Sequence, residues 1–215
     1  MGGISKPEIK LDGISLFERV LEAFMASNVR EIVVVAGENR IRLETLASKF
    51  KSKPIRFCTG GKTRTESVFR GVCEASKDCT LLCVHDCARP FVTPEMIGAV
   101  IEGAKETGAS TACCPVTDTV KYVDAEHKAI YTPKREHLLA IQTPQVFRRD
   151  YYEIAYANAC KQSGGFTDET SMLEAAGVKV EYVKTDPRNI KLTTKEDIVL
   201  ARAMLLVKKA KDQKS

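Results

Sequence analysis

Residues 81–94 read Leu81-Leu82-Cys83-Val84-His85-Asp86-Cys87-Ala88-Arg89-Pro90-Phe91-Val92-Thr93-Pro94. Residues 81–85 have the continuous apolar character of a strand buried on both faces, and a polar loop follows. Thr93-Pro94 then opens a helix. Threonine suits the N-cap, and proline suits the first helical position, where an N–H has no partner to lose. This strand–loop–helix beat recurs on either side. Residues 14–27 place Ile14, Phe17, Val20, Leu21 and Phe24 at helical spacing. Residues 32–36 are a β-branched run closed by Gly37, so they read as a buried strand. A helix at 41–50, a short strand at 55–58 and a helix at 64–75 come next. Residues 110–114 are again a strand. The last helix starts at Thr193-Thr194-Lys195-Glu196-Asp197, where either threonine finds an acidic partner three residues on, a capping box. Alternation of this kind implies an α/β fold, with mostly parallel strands joined and flanked by helices.

Residues 116–142 break the alternation. Two short β-like pieces, 120–123 and 129–132, enclose the polar turn Asp124-Ala125-Glu126-His127. They predict a hairpin that projects from the sheet. Its exposed edges suit cover by a second copy of the chain, so a homodimer joined through the 116–142 arm is expected; a free-standing flap is the alternative. With no repeat or linker, residues 1–215 form one domain that carries this arm.

Composition narrows the function. The 215-residue chain has a net charge of +5, which suits either nucleic acid or a small polyanion in a cleft. Single strands stack on aromatic–basic clusters, which the chain lacks, so nucleic acid is not an expected partner. The basic run 208–214 reads as a solvated helix tail. No apolar run approaches the roughly 18 residues of a membrane span, and no signal segment opens the chain. A cytoplasmic location is expected, with a plastid stroma the alternative. The eight cysteines sit mostly in apolar runs and read as reduced thiols. Cys79, Cys83 and Cys87 share a strand face about 13 Å apart per step, at about 3.3 Å per residue. Zinc holds sulfur at about 2.3 Å, so neighbouring members cannot share an ion unless the strand bends.

Four polar clusters fall just after predicted strands, where open α/β sheets bind ligands. The first is Thr59-Gly60-Gly61-Lys62-Thr63-Arg64-Thr65-Glu66-Ser67. Its glycines allow close approach of the backbone, and the helix behind it presents free N–H groups. An ordinary turn reads the same way. The second is the loop around Asp86 and Arg89, suited to a divalent cation beside an anion, or simply a surface ion pair. His85 packs as a strand residue on the other side from Asp86. The third, residues 139–147, contains Gln142-Thr143-Pro144-Gln145, whose amides and hydroxyls suit hydroxyl and phosphate recognition, although proline also marks a plain turn. It lies between Thr132 and Arg148-Arg149. The fourth is Asn189-Ile190-Lys191, whose lysine is available to a phosphate, or is a plain surface lysine.

Taken in order, Gly-Gly-x-x-Arg-x-x-Ser-Val, His-Asp-x-Ala-Arg-Pro, Pro-Val-x-Asp-Thr-Val-Lys, Gln-Thr-Pro-Gln, Thr-Asp-Glu and Asn-Ile-Lys span nearly the whole chain. That series closely resembles the 2-C-methyl-D-erythritol 4-phosphate cytidylyltransferase family of isoprenoid precursor synthesis. The resemblance implies a Rossmann-like sheet, a homodimer with interlocked arms, CTP and a polyol phosphate as substrates, Mg²⁺ as cofactor and pyrophosphate as by-product. It further implies Gly60, Gly61, Arg64, Ser67 and Cys87 as nucleotide contacts. Asp86 resembles the family's magnesium-binding and substrate-binding aspartate, and Arg89 its substrate-side arginine. Thr132 and Arg149 match positions offered to the partner's methylerythritol phosphate. Lys191 and Lys6 resemble the lysines at the reacting phosphate. Ribitol 5-phosphate cytidylyltransferases share most of these motifs and are the nearest alternative. Asp118-Thr119-Val120-Lys121 and Asn189-Ile190-Lys191 favour the methylerythritol reading.

The family opens with a buried strand and a loop of the form Ala-Ala-Gly-x-Gly-x-Arg-Met-Gly, whereas this chain starts Met1-Gly2-Gly3. The expectation is therefore a shortened form that lacks the first strand. Removing a central parallel strand exposes apolar faces and unpaired edges, so low stability and little turnover are expected, with an inactive scaffold as the limiting case. Lys62 and Pro7-Glu8 are smaller departures, standing where an acidic residue and a Gln–aromatic pair are usual.

Overall fold

A computed structural model describes residues 5–160 and 166–212, with side chains described as far as Val207. Met1-Gly2-Gly3 and the side chains of the basic run 208–214 lie outside the described residues. Strands β1 (Lys10–Leu11) and β2 (Ile14–Ser15) pair antiparallel through Asp12 and Gly13, both at positive φ. Helix α1 (Leu16–Ala26) starts on a reciprocal box: Ser15 N donates to Glu18 Oε2 at 2.9 Å, and Glu18 N donates to Ser15 Oγ at 3.2 Å.

There follow β3 (Ile32–Ala36), α2 (Arg40–Ala47), β4 (Ile55–Thr59), α3 (Arg64–Glu74), β5 (Leu81–Val84) and α4 (Pro94–Thr107). Thr93 caps α4 by accepting from Met96 N, and Gly108 ends it at φ +89°, a left-handed conformation that costs glycine little. Next are β6 (Ala109–Pro115), the paired arm strands β7 (Tyr122–Val123) and β8 (Ala129–Tyr131), and β9 (Leu139–Arg148). The chain closes with α5 (Arg149–Ala159), α6 (Glu169–Ala175), β10 (Glu181–Lys184) and α7 (Lys195–Asp212). At the start of α7, Asp197 Oδ2 accepts from the backbone N of Thr193 and Thr194, as the predicted box requires. No helix among the described residues is long and apolar enough to cross a membrane.

The main sheet has the order β10-β6-β9-β5. Three of its strands run in one direction and one is reversed: β10 runs parallel to β6, but β9 runs antiparallel to both its neighbours, β6 and β5. The reason lies in the connection. The chain leaves β6 through the arm instead of a crossover helix, so it re-enters the sheet in the opposite direction. Strands β3 and β4 form a separate parallel pair. Val33 and Val35 of β3, Leu81 and Cys83 of β5 and Phe24 of α1 line one cavity of about 600 Å³. Among the described residues no ladder joins β3 to β5, so the parallel pair stands apart from the four-stranded sheet.

The largest core cluster lies under β9, where Phe147 stacks on Tyr152 with centroids 4.9 Å apart and packs with Leu82, Ala109 and Leu173. A second cluster of Leu11, Leu16, Leu192 and Ala201 ties the N-terminal hairpin to α7. Phe147→Ala is expected to cost about 3–5 kcal/mol of stability, read as a lower urea midpoint in equilibrium unfolding. An unchanged midpoint contradicts the packing described.

Candidate active site

The polar segment 142–145, where the sequence also allowed a plain turn, lies inside β9, and Gln142, Thr143 and Gln145 are buried there. The β6–β9 register jumps from Thr111↔Gln145 to Cys113↔Ile141, so three residues of β9 face a single residue of β6. Pro144, which has no N–H to give a ladder, falls within this irregularity, and the Thr143–Pro144 bond is cis.

From this stretch of β9 the buried polar side chains reach three loops. Gln145 Oε1 accepts from the backbone N of Glu169 at 3.1 Å and of Thr170 at 3.2 Å, and its amide donates to Asp168 Oδ2 at 2.8 Å. Thr143 Oγ1 accepts from Asp86 N at 3.0 Å and pairs with His85 Nδ1 at 3.1 Å. Fully buried Asn189 donates to Gln142 Oε1 at 3.0 Å and to the Thr143 carbonyl at 2.9 Å. One strand thereby sets the positions of the Asp86, Asp168–Thr170 and Asn189–Lys191 loops.

On that frame the charges converge. Asp86 Oδ2 meets Lys191 Nζ at 2.6 Å, and its Oδ1 lies 3.4 Å from Arg64 Nη2. Burial pushes the Asp86 carboxyl up, but the Lys191 hydrogen bond and the charges of Arg64 and Lys191 outweigh it and hold the pKa below the usual value. Arg64 also donates to Glu169 Oε1 at 2.6 Å. Glu169 is 2% exposed, and its burial raises its pKa against the pull of Arg64. Arg89 donates to the Asn189 carbonyl at 2.8 Å, so its guanidinium is tied to the loop that carries Lys191.

The Gly60-Gly61 loop is held by Ser67, whose hydroxyl accepts from Gly61 N at 3.0 Å and donates to the Thr63 carbonyl at 2.8 Å. A Cβ on Gly61 would fall 2.4 Å from the Glu66 side chain, so a larger residue there forces Glu66 to move. Cys87 is half-buried, and burial pushes its thiol up to about 12, so it stays protonated at neutral pH.

Asp86, Arg64, Lys191 and Arg89 are therefore brought together, whereas no described hydrogen bond or ion pair joins Lys6, Thr132 or Arg149 to them. Lys6 is exposed on a short helical turn, although nearby Ile9 packs in the cluster that includes Ile190 and Leu192. Thr132 stands on the arm and accepts from Lys121 Nζ at 2.6 Å. Arg149 lies outside the arm at the start of α5, and its guanidinium donates to the carbonyls of Val72, Ser76 and Cys79. It closes the C-terminal end of α3. Conversely, Glu169, Gln142, Thr143, Gln145 and Asn189 hold the site together, although none was singled out from sequence as an individual site residue. For Gln142, Thr143 and Gln145 the signal was amides and a hydroxyl among the apolar residues of 139–147, and for Glu169 and Asn189 it was only the Thr-Asp-Glu and Asn-Ile-Lys motifs.

Comparison with known proteins gives a consistent relationship. The family model of 2-C-methyl-D-erythritol 4-phosphate cytidylyltransferase matches residues 2–207. A protein of that name from Caldanaerobacter subterraneus is 38% identical, over 82% of this chain and 79% of its own. One from Alkaliphilus metalliredigens is 36% identical over 97% of this chain and 88% of its own. The crystal structure of 4-diphosphocytidyl-2C-methyl-D-erythritol synthase from Anaerococcus prevotii superposes with a TM-score of 0.87 at 28% identity, covering 93% of each chain.

His85 gives a pH test of this geometry. Burial favours its neutral ring and brings its pKa from 6.5 down to about 4, against the opposing hydrogen bond to the Arg89 carbonyl and the charge of Asp86. The unfolded chain binds the extra proton more readily. The His85 contribution is thus complete above pH 6.5 and is lost as pH falls towards 4, by at most about 3 kcal/mol. Urea unfolding at pH 7 and pH 5 is expected to show a larger loss for the wild type than for His85→Gln. Equal losses contradict burial of the neutral ring.

Proposed function

Because this chain belongs to the 2-C-methyl-D-erythritol 4-phosphate cytidylyltransferase family, it is a nucleotidyltransferase, and we propose that its site works by orientation and charge neutralisation. The reaction moves a cytidylyl group from CTP to 2-C-methyl-D-erythritol 4-phosphate. An oxygen of the acceptor phosphate forms a bond to the α-phosphorus of CTP. The bond from that phosphorus to the bridging oxygen breaks, and pyrophosphate leaves with the electron pair.

The observation that carries this reading is the Asp86–Lys191 pair at the end of β5. Both reactants are anionic, so a fixed ammonium group near the reacting phosphate lowers the cost of bringing them together. Lys191 supplies that charge. Lys6, on the segment anchored through Ile9, is its proposed companion. Arg89, braced on Asn189, faces the acceptor side. The Gly60-Gly61 turn and Ser67 form the nucleotide side. No general base is required, since a phosphate monoester is already largely ionised at neutral pH. His85, neutral and hydrogen-bonded through both ring nitrogens, needs no part in the chemistry.

Mg²⁺ suits the residues present. Asp86 is a partly accessible carboxylate beside two cations, and magnesium is commonly held by one or two carboxylates with substrate phosphates completing its shell. Bound there, the ion supplies further neutralisation of phosphate charge.

The arm supports a homodimer. Tyr122, Ile130 and Tyr131 are more than half exposed, and Tyr122 and Tyr131 stack with centroids 5.1 Å apart. A two-stranded ribbon alone is marginal in water, and a second copy laid against it covers this face. Thr132 then projects towards the partner. A reducing cytoplasm suits eight cysteines with no disulfide among them.

Pyrophosphate release with CTP, Mg²⁺ and methylerythritol phosphate is expected to exceed that with ribitol 5-phosphate. Asp86→Ala and Lys191→Ala are each expected to lower the rate on the order of 100-fold. Unchanged rates in both variants overturn the site assignment, and CTP binding without turnover identifies an inert scaffold. Sedimentation velocity is expected to show a dimer that Ile130→Asp dissociates; a monomeric wild type overturns the arm's proposed role.

A further inference from the structure

Glu169, Arg64, Asp86 and Lys191 form a chain of alternating charge that crosses four elements. Glu169 opens α6, Arg64 opens α3, Asp86 follows β5, and Lys191 lies in the loop before α7. Glu169 and Arg64 are 105 residues apart in sequence, so their contact is a product of the tertiary fold. The Glu169 backbone is itself pinned by Gln145, and α6 is capped by Asp168. Its carboxylate is therefore a fixed anchor. The guanidinium is a rigid planar fork, so holding Nη1 on a fixed carboxylate also sets the direction of Nη2. Nη2 is the atom that approaches Asp86.

A residue kept only for packing has no reason to be a carboxylate here. Glu169 Oε2 is buried with no hydrogen-bond partner among the described residues. An unsatisfied buried carboxylate oxygen costs stability, and an apolar side chain of similar size avoids that cost. What the charge secures is the orientation of Arg64.

We infer that Glu169 is a positioning residue that acts through Arg64 on Asp86, and that Arg64 is this link rather than a contact to the nucleotide base or ribose. The inference rests on the cytidylyl-transfer reading of the site and adds two roles to it. Arg64 has both terminal nitrogens directed at carboxylates of its own chain. Ser67 and the Gly60-Gly61 backbone remain to form the nucleotide side. With Arg64 anchored, the Asp86 carboxylate is held between two cations and keeps one orientation towards the reacting groups.

The test is a double-mutant cycle on Glu169→Gln, Arg64→Met and the double variant. It reads kcat for pyrophosphate release, CTP affinity by calorimetry, and thermal melting to confirm folding. Each single variant is expected to lower kcat about tenfold or more, and the double variant to be no worse than the worse single one, the signature of two residues acting as one unit. CTP affinity is expected to stay within about threefold of wild type, a split between chemistry and binding that a merely structural lesion does not produce. Glu169→Asp, which keeps the charge and shortens the reach, is expected to recover part of the loss, and it carries the test if Glu169→Gln does not fold. Loss of CTP affinity on the order of tenfold in Arg64→Met makes Arg64 a nucleotide contact and overturns the inference. So do an unchanged kcat in Glu169→Gln and costs that multiply in the double variant. A wild type that binds CTP but releases no pyrophosphate overturns the underlying reading, and the inference falls with it.

Discussion

A strand buried inside an α/β domain ordinarily carries apolar side chains, because each polar group placed there must find a partner or cost about 1–3 kcal/mol. Strand β9 carries Gln142, Thr143 and Gln145 in its buried part. Its pairing with β6 is irregular between Gln145 and Ile141, and hydrogen bonds to three separate loops satisfy these side chains. The loops cannot drift without leaving a buried amide or hydroxyl unpaired. The Asp86, Asp168–Thr170 and Asn189–Lys191 loops are positioned through that requirement, and the Asp86 backbone N–H itself donates to Thr143.

Rigidity of this kind is what a reaction between two anions needs. Charges that are already aimed lose little energy to reorganisation when substrates arrive. The alternating order from Glu169 to Lys191 keeps like charges apart and leaves the cationic end partly accessible. Lys191 is the more exposed member and Glu169 the fully enclosed one. In the proposed reading the buried end supplies orientation, and the accessible end supplies charge to the phosphates.

The rest of the architecture is less uniform. The parallel pair β3–β4 stands apart from the four-stranded sheet across an apolar cavity, and the arm presents tyrosine and isoleucine side chains to solvent. The cavity reaches the candidate site, since Arg64, Ser67 and Asp86 also line it, whereas the Asp86–Lys191 pair itself is built from β5, β9 and the loops they anchor. The two kinds of exposed surface differ in origin. One is a division within the sheet, whereas the other is an excursion of the chain away from it.

Local rules determined much of this protein. The alternation of apolar runs, the threonine caps before α4 and α7 and the projecting hairpin were all legible, because strand and helix signals act within a few residues. The ordered motifs identified the family, and they pointed to Asp86, Arg64, Arg89 and Lys191, which do converge. Tertiary structure alone decided that Gln142-Thr143-Pro144-Gln145 is the buried heart of a strand and not a turn. It also decided that β9 runs antiparallel, that Arg149 closes α3, and that Glu169 holds Arg64 from 105 residues away. The reason is physical: caps and periodicity are properties of neighbouring residues, whereas the partner of a buried amide or carboxylate depends on the path the whole chain takes through space.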